Sequence, residues 1–145
     1  MIHLEPITPE NWRPGLSVRE DQRSFVSDCA GILARAYAYR EQRSRAFLVC
    51  RDDLPVGMAM YHDIEEWKAY DFSQLFIDQR YQGSGYGYQA AELILQAMRE
   101  DGTYNRVVLC YIEGNTAAKQ LYEKLGFFHT GERDGDEIIM ELHLR

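Results

Sequence analysis

Gly83, Gly85 and Gly87 alternate within Phe76-Ile77-Asp78-Gln79-Arg80-Tyr81-Gln82-Gly83-Ser84-Gly85-Tyr86-Gly87. An apolar, strand-like run enters the glycines, and a helical pattern leaves them. Glycine permits sharp backbone turns and close approach of a ligand. A helix start presents unpaired N–H groups and a partial positive charge. The combination makes a cradle for phosphate. Three readings compete. A P-loop ends in Gly-Lys-Ser/Thr, but here Gly85 is followed by Tyr86. A Rossmann fingerprint needs an acidic residue about 20 positions on. That window holds Val107, Val108 and Leu109. A plain strand-to-helix turn requires fewer glycines than this loop carries.

A second segment decides among them. It runs Tyr111-Ile112-Glu113-Gly114-Asn115-Thr116-Ala117-Ala118-Lys119-Gln120-Leu121-Tyr122-Glu123-Lys124-Leu125-Gly126-Phe127. Gln82 to Gly87 resembles the acyl-CoA pyrophosphate loop of the GNAT N-acetyltransferases, Gln/Arg-x-x-Gly-x-Gly/Ala. Asn115, Ala118, Leu121, Tyr122, Gly126 and Phe127 match that superfamily's Asn-x-x-Ala-x-x-Leu-Tyr-x-x-x-Gly-Phe signature. The resemblance implies the α/β GNAT fold, a mixed, mostly antiparallel sheet of six to seven strands flanked by about four helices. It implies acetyl-CoA as cosubstrate, no metal, and one acetyltransferase domain over residues 1–145.

The resemblance also implies roles for particular residues. The pantetheine arm pairs with the backbone of Phe76 and Ile77. The pyrophosphate rests on the N–H groups of Gln82, Gly83, Ser84, Gly85, Tyr86, Gly87 and Tyr88. Asn115 and Ala118 border the cofactor, although capping a helix would by itself explain Asn115. Tyr122 matches the tyrosine that faces the CoA sulfur as general acid; its place on an apolar stripe also suits a core residue. A primary amine with a pKa near ~10 must lose a proton before attack. The base stays open among Glu113, Asp78, Tyr111, His62 and His129.

The N-terminal third, from Asn11-Trp12 through Leu16 to Val26 and Ala34-Arg35-Ala36-Tyr37, resembles a bacterial spermine/spermidine acetyltransferase subgroup. So does the hairpin after Thr130-Gly131-Glu132. A polycation asks for spaced carboxylates. Glu20, Asp63, Glu65 and Glu66 are the candidates, with Asp21 and Asp28 nearby. The same acids equally suit a hydrophilic turn and a helix start. The chain departs from the subgroup at Gln74, where an Arg is usual. Peptide, protein or other small amines, and a non-catalytic CoA-binding module, are the alternatives.

The elements that must position these residues follow from pattern. Strands are expected at Ile2 to Ile7, Ala46 to Cys50, Val56 to Asp63, Ala69 to Ile77, Val107 to Ile112, Phe127 to Thr130 and Glu137 to Leu144. Helices are expected from Thr8-Pro9, over Glu20 to Tyr39, over Tyr88 to Glu100, and from the Asn115 cap to Gly126. The 145 residues carry a net charge of −7, which disfavours nucleic acid as a partner. No apolar run reaches membrane-spanning length, and no signal peptide is evident. Cys29, Cys50 and Cys110 form neither a zinc pattern nor a disulfide framework, so a reducing cytoplasm is the simplest inference. A small-molecule amine is the expected partner, and a homodimer is left open.

Overall fold

The computed structural model describes residues 1–145. Seven strands form one sheet: β1 (Ile2–Pro6), β2 (Arg45–Arg51), β3 (Leu54–Ile64), β4 (Ala69–Ile77), β5 (Arg106–Ile112), β6 (Phe128–Asp134) and β7 (Glu137–His143). Their spatial order is β1-β2-β3-β4-β5-β7-β6. Every neighbouring pair is antiparallel except β4 and β5. Three α-helices flank it: α1 (Cys29–Ala38), α2 (Tyr86–Asp101) and α3 (Thr116–Lys124). No helix is long and apolar enough to cross a membrane.

The helices split between the two faces. Ile32 of α1 packs on Leu48, Cys50, Met58, Met60 and Phe76. The other face holds Ala90, Ala91, Ile94, Leu95 and Met98 of α2, together with Tyr122 of α3. Gly57 lets β3 approach β4. A Cβ there would lie 2.3 Å from the Phe76 carbonyl oxygen, so any larger residue would push the strands apart.

Two expectations at the N-terminus need correction. Thr8–Trp12 is only a turn. There Asn11 Oδ1 accepts from the Thr8 N–H, and its amide donates to the Pro6 carbonyl. Between Glu20 and Tyr39, only Cys29–Ala38 is α-helix, preceded by a 3-10 turn at Glu20–Gln22. Asp28 begins the helix late because its side chain accepts from the Gly31 N–H at 2.7 Å. Phe25 and Val26 mimic a helical stripe in sequence, but they face a cleft in the sheet. That correction leaves three α-helices where pattern suggested about four.

The cleft arises where the sheet splits. β4 and β5 pair only at Ala69↔Arg106, Tyr70↔Val107 and Asp71↔Val108. Beyond Asp71, β4 keeps its ladder to β3 and leaves its other edge unpaired. An extra residue in β4 marks the parting point: Met60 opposes Gln74, while His62 opposes Asp71. Such a bulge bends a strand and re-aims its side chains.

Candidate active site

The split opens into two adjoining chambers that share Phe25, Val26, Leu75, Asn115, Ala118 and Tyr122. The first has a volume of about 400 Å³ and runs along Phe76 and Ile77 to the glycine loop. The second, about 320 Å³, is lined by Arg35, Asp71, Ser73, Gln74, Cys110 and Glu137 among others. Both volumes fall in the range of small-molecule sites.

The first chamber ends at the glycine loop and the start of α2. Gly83 and Gly85 hold φ of +87° and +82°. This left-handed backbone favours glycine over any other residue. Gly85 is the N-cap of α2. The first backbone bond of that helix joins the Gln89 N–H to the Gly85 carbonyl, so the Tyr86, Gly87 and Tyr88 N–H groups have no backbone partner. Gly87 lines the wall between Ile77 and Leu121. Tyr86 is held by Arg51, whose guanidinium donates to its hydroxyl at 3.0 Å. Ser84 and the Tyr88 side chain lie outside the lining; the Tyr88 ring instead sits 4.6 Å from Lys124 Nζ. The Gln82 side chain braces the loop. It donates to the Ile77 carbonyl at 2.9 Å and accepts from Arg19 at 2.8 Å.

Tyr122 stands where the chambers meet. Its ring packs edge-on against Phe72 and Phe127. Burial, with a smaller contribution from Cys110, pushes its phenol above the ordinary range. The hydroxyl therefore stays protonated at neutral pH, as a proton donor must. Asn115 caps α3 by accepting from the Ala118 N–H at 3.2 Å, and it also borders both chambers.

The candidate carboxylates Glu20, Asp63, Glu65 and Glu66 line neither chamber. Asp63 is buried in an ion-pair network, 2.6 Å from Arg43 and 3.1 Å from Arg45. Arg43 also reaches Asp101, which accepts from the Tyr70 hydroxyl. Glu65 and Glu66 form a 3-10 turn where β4 and β5 are paired, at the closed end of the split. Glu20 is exposed on its own 3-10 turn and does not line either chamber. The acids that do line the second chamber are Asp71 and Glu137, with Arg35 as the cation among them. Sequence reading missed them because they sit on separate elements; alternation along β4 and β7 was the available signal.

Two candidate bases have structural duties. Asp78 is buried; burial opposes its ionisation, but Arg80 and the Ser17 and Arg80 N–H groups hold the carboxyl below its usual range. It thereby ties the loop at Ser17 to the end of β4. Glu113 pairs with Arg133 on the surface. The Tyr111 hydroxyl meets His129 Nε2 at 2.8 Å. Gln74, the subgroup departure, accepts from the Ser27 N–H and so pins the segment before α1 across the cleft. His3, Glu5 and Cys50 cluster on the β1–β2 edge, outside both chambers.

The Asp63 network carries a stability prediction. Asp63→Ala strips two guanidiniums of a partner and costs about 2–3 kcal/mol. Thermal unfolding should drop by roughly 4–12 °C, with the Michaelis constant for amine unchanged. The linked Asp101 carboxyl is held far below its usual range, mainly by Arg43. Its contribution is present above the unfolded pKa of about 4 and is lost as pH falls through the folded value.

The comparisons with known proteins agree with this architecture. The chain is 32% identical to the spermine/spermidine N(1)-acetyltransferase of Bacillus subtilis (strain 168), covering 97% of each. Among solved structures, an acetyltransferase from Thermus thermophilus superposes with a TM-score of 0.79 at 20% identity, over 99% of this chain and 97% of that one. A spermidine N-acetyltransferase from Vibrio cholerae, solved with CoA and spermine, also gives 0.79, at 16% identity, over 99% and 95%. Residues 6–127 match the profile of the acetyltransferase (GNAT) family, and the chain belongs to that family.

Proposed function

We propose that this chain moves an acetyl group from acetyl-CoA to a primary amine of a small polycation such as spermidine or spermine. The single observation that carries the reading is the placement of Tyr122 at the junction of a glycine-loop chamber and an acid-lined chamber. The unpaired edge of β4 at Phe76 and Ile77 would hold the pantetheine, and the amides of Gly83 to Tyr88 the pyrophosphate. Bound there, acetyl-CoA supplies an activated thioester. The chain's residues then do the rest. Backbone and side chains of the cleft orient the reactants, which lowers the entropic part of the barrier. The Tyr122 hydroxyl gives its proton to the departing sulfur. Asp71 and Glu137 attract the ammonium and hold it beside the thioester. The relatives named for spermine and spermidine support the polycation. All three thiols are held above their ordinary range, Cys29 and Cys50 first by burial and Cys110 by desolvation and then Glu137, so none is poised as a thiolate nucleophile.

A thiol-release assay with acetyl-CoA tests the substrate. Spermidine and spermine should react with kcat/KM about tenfold or more above neutral-tailed monoamines, because Glu137 is left to face a second ammonium while Asp71 meets the reacting one. Added salt should raise the Michaelis constant for spermidine selectively. Strong turnover of a peptide amine, with none of spermidine, refutes the polyamine assignment.

A further inference from the structure

His62 is buried directly behind the second chamber, 3% exposed. Its ring stacks on Tyr39 with centroids 4.2 Å apart and a 13° angle between planes. Nδ1 lies 3.0 Å from the Asp63 carbonyl oxygen, which can only accept, so Nδ1 carries a hydrogen. The neutral ring therefore presents a lone pair at Nε2. That nitrogen has no aligned hydrogen-bond partner, yet it lies 3.4 Å from Asp71 Oδ2. A lone pair facing a carboxylate in a buried site is unfavourable; one added proton turns the same contact into an ion pair. Asp71 itself lines the chamber.

From this arrangement we propose that His62 and Asp71 act as one proton-holding pair that receives the proton of the entering ammonium. The proposal rests on the acetyl-transfer reading above. One ammonium N–H bond breaks, and its electron pair stays on nitrogen as the nucleophile. The proton passes to an Asp71 oxygen, then to His62 Nε2, leaving carboxylate and imidazolium. Asp71 is the group that meets the amine; His62 is a positioning residue that acts through it. The advantage is one of affinity. A lone carboxylate near ~4 lies roughly six powers of ten below an amine near ~10, and an imidazole near ~6.5 closes more than two of them.

The surroundings fit. Burial opposes charging of His62, but Asp71 and the Asp63 carbonyl outweigh it, and the ring's pKa is raised. Arg35 of α1 opposes it from the side and is itself anchored to Ser73 Oγ at 2.7 Å. Tyr39 covers the ring from the end of α1. The Asp63 carboxylate is turned to Arg43 and Arg45. Cys110 of β5 and Glu137 of β7 line the chamber that Asp71 enters.

The test has two readouts. Imidazole NMR of the wild-type chain, with His62 assigned through His62→Gln, should give a midpoint above ~6.5 that falls by about one unit or more in Asp71→Asn. The acid limb of kcat/KM for an accepted amine should share the wild-type midpoint. In His62→Gln that limb should move down by about two pH units, and the rate at neutral pH should fall at least about tenfold. An unmoved His62 midpoint in Asp71→Asn, or a wild-type pH profile in His62→Gln, overturns the pair. If His62→Gln does not fold, His62 is assigned by elimination from His3→Gln, His129→Gln and His143→Gln, and the shift of its midpoint in Asp71→Asn decides alone. Absence of turnover toward every amine by the wild-type chain overturns the acetyl-transfer reading instead, and the NMR titration separates the two failures.

Discussion

Tyr122→Phe lowers kcat by about 10²–10⁴-fold while acetyl-CoA binding stays intact. The substitution removes one oxygen and keeps the ring, whose edge-on packing against Phe72 and Phe127 holds α3 to the sheet. Stability should therefore move little. The hydroxyl forms no hydrogen bond to the protein, so its deletion leaves no partner orphaned. The group is free to serve a ligand. A phenol raised above its ordinary range is a weaker acid than a free thiol of pKa about 8.5, so the hydroxyl acts on the sulfur while charge develops there in the transition state and not on a free thiolate, and its loss falls on kcat. Single-turnover kinetics separate the roles: an unchanged rate of acetyl transfer would mean that Tyr122 is packing alone.

Gly85→Glu abolishes acetyl-CoA binding in the measurable range. Its φ of +82° is costly for any other residue, by about 1–2 kcal/mol. Space is not the obstacle, since the nearest atom to an added Cβ is Gln89 Nε2 at 3.8 Å. The carboxylate is. About 4 Å from a phosphate, at an effective dielectric near ~20, it costs about 4 kcal/mol, or roughly 10³-fold in Kd. Gly131→Glu supplies the control. That glycine has a φ of +89° and open space around it, on the β6 edge away from the cleft. Both variants should lose similar stability, and only Gly85→Glu should lose binding by calorimetry. Equal affinities would remove the pyrophosphate from this loop.

Contiguous features were legible in the sequence. The glycine loop and the stretch from Asn115 to Phe127 each occupy one strand-helix unit, so chemistry and local structure share the same few residues. Sheet strands were legible from alternation and from Asp134-Gly135 turn chemistry. The second chamber was not. Arg35, Asp71, Cys110 and Glu137 come from α1, β4, β5 and β7, and only the tertiary fold brings them together. Asp63 and Asp71 look alike in sequence, but two arginines claim the first and a histidine faces the second. The long N-terminal helix was misread for a related reason: Phe25 and Val26 recur at helical spacing, but a cleft rather than a helix partner explains their apolar character. Asp28 then starts the helix where propensity alone sets no boundary.

The short β4–β5 ladder has a mechanical consequence. Three paired positions are all that joins two lobes through the sheet, one ending at β4 and the other starting at β5. Strain applied across the molecule concentrates in that seam, because every other strand pair is longer. Arg106, at the first rung, braces it by donating to the Trp67 carbonyl and pairing with Glu141. The glycine loop belongs to one lobe and Tyr122 to the other. A slight opening of the jaws thus changes the span between the glycine loop and the Tyr122 hydroxyl. The same seam that makes room for two chambers sets how stiffly their facing walls are held.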